Sequence, residues 1–88
     1  AEPPQNQSPS TQATTADSLY QQGIQHFRAG QLQPAIQAWQ SAQRLYRQQQ
    51  NLKAIAQTWD NLGMAFRTLG DYTQAIAAYQ QQFALVQQ

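Results

Sequence analysis

Five residues of the chain return after forty positions: Gly23, Gly30, Ala35, Ile36 and Trp39 are matched by Gly63, Gly70, Ala75, Ile76 and Tyr79. Leu19 stands where Trp59 falls one unit later. A shared offset of this size marks a stacked array, in which one supersecondary unit is repeated and each copy buries its apolar face on its neighbour. The clearer copy is 59–79, WDNLGMAFRTLGDYTQAIAAY. Trp59, Leu62, Phe66 and Leu69 come at three- and four-residue spacing and share one face of a helix. Gly70-Asp71 ends that helix and opens another: glycine admits the left-handed turn at a helix C-terminus, and the Asp71 carboxylate can accept from the free N–H groups of the next first turn. Tyr72, Ala75, Ile76, Tyr79 and Phe83 form the stripe of that next helix. Two amphipathic helices joined this closely must lie antiparallel, each covering the other's stripe. The pattern predicts an all-α fold of two antiparallel helix-turn-helix hairpins.

Taken in order, residues 1–16 predict a flexible tail rich in Pro, Gln, Ser and Thr, because they hold three prolines and no apolar period. The first hairpin is expected over 17–50 and the second over 51–88, with helices from about Asp17 to Ala29, Leu32 to Gln49, Leu52 to Leu69 and Tyr72 to Val86. Thr15 or Asp17 would cap the first helix and Gly30 would end it. Pro34 falls in the first turn of the second helix, where no backbone hydrogen bond is lost. Gly23 and Gly63 cost about 1 kcal/mol each inside a helix, so their recurrence predicts a close approach of the partner helix, opposite Ala35 or Ala75. Ala-Glu-Pro-Pro at the start fits a mature N-terminus left by signal-peptide removal and fits equally a boundary inside a longer protein. The compartment stays open between exported and cytoplasmic.

The motif W-x-x-L-G-x-x-F followed by G-x-Y-x-x-A-I-x-x-Y resembles the tetratricopeptide repeat over about Ala16 to the C-terminus. The first unit departs from it at Gln22, in place of the leucine, and at Leu32, in place of the tyrosine. The forty-residue spacing exceeds the usual 34. It places the extra residues around Tyr46 to Leu52 and is similar to repeats in kinesin light chains and bacterial multidomain proteins. The resemblance implies a short right-handed α-solenoid acting as an interaction or assembly module, with no enzymatic activity. Its first helices would line a concave groove for a peptide or partner helix. Carried onto this chain, that groove comprises Tyr20, Ile24 and Phe27 from the first helix and Asp60, Asn61, Met64 and Arg67 from the third. Asn61 matches a position where related repeats hold the ligand backbone, whereas Tyr20 and Ile24 replace the residues that grip a C-terminal carboxylate. The alternative is a spacer or oligomerisation segment of a larger protein whose catalytic domain lies elsewhere, a style similar to Gln-rich repeats of cyanobacterial multidomain proteins.

The residues themselves point the same way. His26 is the one histidine and there is no cysteine, so neither a nucleophilic pair nor a metal set is in view, and no cofactor is expected. Arg44, Arg47 and Lys53 make a loose basic cluster, but a net charge of +1 does not suit nucleic acid. No apolar run approaches the roughly 20 residues of a membrane span. Glutamine supplies 21 of the 88 residues, interleaved with the apolar stripe, and reads as an uncharged helix surface. Phe83, Leu85 and Val86 leave apolar surface on the last helix, which predicts either a further repeat beyond it or a homo-oligomer formed through it.

Overall fold

The computed structural model describes residues 9–87, with side chains from Thr15 onward. They form four helices, α1 (Pro9–Arg28), α2 (Leu32–Gln48), α3 (Leu52–Leu69) and α4 (Tyr72–Val86). Helix α1 packs on α2, α2 on α3 and α3 on α4, so the described chain is two hairpins laid side by side.

The three turns are built alike, at intervals of twenty residues. In each, the residue just before the next helix reaches back five positions: Gln31 N–H to His26 O at 2.9 Å, Asn51 to Tyr46 at 3.0 Å, and Asp71 to Phe66 at 2.9 Å. The residue before it has positive φ, +77° at Gly30, +56° at Gln50 and +90° at Gly70. This is the paired-bond C-terminal motif that satisfies the last carbonyls of a helix. Gln31, Asn51 and Asp71 then serve as N-caps of the following helices. The Asn51 side chain accepts from Ala54 N–H at 3.1 Å and Asp71 from Gln74 N–H at 3.2 Å. Asp71 also accepts from the Gln74 amide at 2.8 Å, as its expected place at a helix start requires. Gln31 makes no such cap; its side chain meets His26 Nδ1 at 2.7 Å instead.

Two apolar clusters hold the hairpins together. The larger joins Ala35, Ile36 and Trp39 of α2 to Leu62, Ala65 and Phe66 of α3 and Ala75 and Ala78 of α4. The smaller joins Ala16, Ala42, Tyr46 and Ile55. The small residues let backbones approach and the aromatic rings fill what remains. A Cβ on Gly63 would stand 2.6 Å from the Tyr79 ring, and one on Gly23 would collide with the indole of Trp39. The close approach at these two glycines is therefore present, but a ring makes it, not the expected Ala35 or Ala75.

The start of α1 differs from expectation. The helix begins at Pro9 rather than Asp17, so 9–16 is helical and not part of a flexible tail, while 1–8 lie outside the described residues. Proline at a first helical position loses no hydrogen bond, and STQATTA after it contains no breaker. Ala16, fully buried in the smaller cluster, anchors this extension. Asp17 consequently lies mid-helix and caps nothing; its carboxylate accepts from the Tyr46 hydroxyl at 2.6 Å.

Candidate peptide-binding face

Helices α1 and α3 are the first helices of the two hairpins, and the forty-residue register brings their equivalent faces alongside each other. The direct link is a hydrogen bond from Asn61 Nδ2 to the Tyr20 hydroxyl at 2.9 Å. Tyr20 is held from several directions. Its ring meets Tyr46 edge-on at 6.5 Å, and its carbonyl accepts from Trp39 Nε1 at 3.0 Å. The hydroxyl and the Asn61 carboxamide thus sit on a rigid base at the seam between the hairpins.

Beside this seam lies a polar cleft of about 380 Å³, lined by Asp17, Tyr20 and Gln21 of α1, Tyr46 of α2, and Lys53 and Gln57 of α3 among others. Tyr46 titrates above the usual tyrosine range, first because it is buried and then because its hydroxyl donates to, and lies in the field of, the Asp17 carboxylate. The cleft therefore offers one carboxylate already engaged, one ammonium and several carboxamides. Carboxamides both donate and accept, which suits main-chain recognition.

Of the expected groove residues, Tyr20 and Asn61 are brought into contact. Ile24 and Met64, equivalent by register, are half-buried. Asp60 and Arg67 are exposed. Phe27 packs against the Trp39 ring, centroids 5.9 Å apart, so that much of it belongs to the first hairpin's interior. The basic cluster is dispersed: Arg44 donates to Ser41 at 3.1 Å, Arg47 lies over Trp59 and Lys53 lines the polar cleft. Of the C-terminal residues, Phe83 and Val86 are exposed, at 63% and 62%. Leu85 instead turns inward onto the smaller apolar cluster, which corrects its expected place on the outer surface.

The family model described as tetratricopeptide repeat matches residues 14–88. The chain belongs to the tetratricopeptide repeat family. Proteins with tetratricopeptide repeats use them for protein–protein interaction or assembly, binding proteins or peptides, and the repeat is typically a non-catalytic scaffold. The chain has no match among curated proteins or among solved structures. Among the described residues no helix is long and apolar enough to cross a membrane.

The motif residues of the tetratricopeptide repeat account for the packing and leave the cleft to others. Asp17, Lys53 and Gln57 were not singled out as site residues by the sequence reading. For Asp17 and Gln57 the signal was available in the repeat: Asp17, Gln21 and Ile24 are matched at forty residues by Gln57, Asn61 and Met64, which recur at four- and three-residue spacing on one helix face, whereas Lys53 has no such counterpart.

Proposed function

We propose that the face made by α1 and α3 is a protein-interaction site that takes a peptide segment or partner helix, and that the chain has no catalysis of its own. The observation that carries this reading is the Tyr20–Asn61 hydrogen bond, which joins the first helices of both hairpins into one surface beside a polar cleft. Asn61 is half-buried and keeps its carbonyl oxygen for a ligand N–H, while Met64 and Ile24 add apolar contact and Asp60 and Arg67 flank it with charge. A face two helices wide supports affinities no tighter than micromolar, about −8 kcal/mol. A peptide array read with the labelled chain tests it. Asn61→Ala should weaken a hit about tenfold, the worth of one hydrogen bond at such a site, and Tyr20→Phe should weaken it less. If every hit survives both substitutions, the reading is overturned.

A second reading, self-assembly through α4, is favoured by a separate observation. Tyr72, Ile76, Phe83 and Val86 form an outward stripe, each more than half exposed at 64%, 58%, 63% and 62%. At the same register in the first hairpin stand Leu32, Ile36, Gln43 and Tyr46, of which the last three are buried.

A further inference from the structure

On the side of α3 turned away from Gln57, Asn61 and Met64 lies a second cleft, of about 490 Å³. Trp59, Leu62 and Phe66 make its floor, at three- and four-residue spacing along one side of α3. Helix α2 supplies one wall, including Gln43 and Arg47, and α4 the other, including Ala77 and Gln81. Leu62 and Phe66 close the cleft below, while the half-exposed Trp59 and the exposed Ala77 keep apolar surface open to it.

Among the described residues, two donors in this cleft have no acceptor. Gln43 is 5% exposed, and its Nε2 is buried without a hydrogen-bond partner. A buried amide left in this state is a cost to the fold unless something outside the chain accepts from it. Arg47 stands with its guanidinium carbon 5.7 Å from the Trp59 ring centroid, and among the described residues it has no carboxylate partner. Among the described residues no Asp or Glu lines the cleft. A guanidinium stacked on an indole keeps its N–H fork free for an anion while its orientation is set by the ring. A single unopposed positive charge, an open aromatic face and an orphan donor are together selective for one ligand chemistry: acceptors beside an apolar group.

We propose that this α2/α4 cleft is a second peptide-binding site, for a segment that sets an apolar side chain against Trp59 and Ala77 and a carboxylate against Arg47, with a main-chain carbonyl accepting from Gln43 Nε2. It is distinct from the α1/α3 face and does not rest on that reading, because α3 contributes opposite sides of itself to the two clefts.

The test uses the ¹⁵N-labelled chain and blocked hexapeptides with Gly-Ser flanks around Phe-Glu or Glu-Phe, against controls with Phe-Gln and Ser-Glu. The acidic-aromatic peptides should shift the Trp59 indole N–H and the Gln43 side-chain amide, leave the buried Trp39 indole and the Asn61 amide unmoved, and bind about fivefold tighter than either control. Arg47→Gln, at an exposed position, should erase the preference over the Phe-Gln control and lower the thermal melt by no more than a few degrees, the worth of its contact with the Trp59 ring. The proposal is overturned by still Trp59 and Gln43 signals at millimolar peptide, by equal binding of the controls, by a preference that survives Arg47→Gln, or by shifts centred on Tyr20 and Asn61. Shifts at Trp59 and Gln43 that grow when the chain alone is concentrated would assign the cleft to a second copy, and overturn it as well.

Discussion

Tyr46 shows how much of this fold a single side chain can join. It sits on α2, buries its ring in the smaller apolar cluster with Ile55 of α3, meets the Tyr20 ring of α1 and donates to Asp17 of α1. Burial and the adjacent carboxylate both favour the neutral phenol, so its folded pKa lies above the unfolded value of about 10. The sign follows directly: this contribution is fully present below about pH 10 and is lost as the solution is made more alkaline, because only the unfolded chain then releases the proton readily. Tyr46→Phe keeps the ring and removes the hydroxyl. It should cost about 1–2 kcal/mol at neutral pH, the worth of a hydrogen bond to a charged acceptor. It should also flatten the fall of Tm above about pH 10. Circular-dichroism melts of both proteins across pH 7 to about 11 check this, and parallel alkaline curves would show that Tyr46 does not govern the loss.

At the scale of elements, the helix ends carry the lesson. Three turns use the same backbone, yet two place glycine at the left-handed position and the third places Gln50 there. A left-handed conformation costs an ordinary L-residue about 1–2 kcal/mol, and glycine adopts it freely. Part of that gain is offset because glycine loses more freedom on folding. Gln50→Gly should therefore stabilise the chain by about 0.5–1 kcal/mol, a rise in Tm of a few degrees for a domain of this size. A thermal or urea melt that shows no gain would mean the α2–α3 turn relaxes in solution. The sequence reading located this link at the right residues and left its backbone open, since nothing in Gln48-Gln49-Gln50-Asn51 distinguishes one glutamine from the next. Asn51 was not singled out as a cap either, although a carboxamide just before a periodic run is an N-cap signal and its side chain accepts from Ala54 N–H at 3.1 Å.

For the molecule as a whole, the two outer helices differ in kind. Helix α4 has no charged residue from Tyr72 to Val86 and carries four large apolar side chains in the open. Packing of α4 against α4 of a second copy, across a twofold axis, would meet no like-charge repulsion, and its glutamine rim is complementary to itself. One stripe of a fifteen-residue helix offers less area than a standard stable interface, so the self-association should be weak and concentration-dependent. Sedimentation over a concentration series should show growing mass, and Phe83→Gln, at an exposed position, should suppress it with the melt unchanged at low concentration. A single mass at every concentration would remove the second reading of the function.

What the sequence determined by itself was everything that depends on neighbours within a turn or on the repeat. Helices α3 and α4 fall on the expected residues and α2 within one of them, because apolar period, Gly-Asp punctuation and Asn or Asp caps act over three to five positions. The five landmarks shared at forty residues likewise predicted a stacked array of two like hairpins. Tertiary structure alone decided the rest. Asp17 reads locally as a helix start and becomes a mid-helix acceptor only because Ala16 is drawn into a cluster formed by α2 and α3. The spaces at Gly23 and Gly63 are filled by rings from the partner helix, Leu85 turns inward although its neighbours Phe83 and Val86 face out, and the donors Gln43 and Arg47 flank a cleft whose far wall is α4. Each of these is set by the angle and spacing at which one helix crosses another, and no pattern along a single helix encodes that geometry.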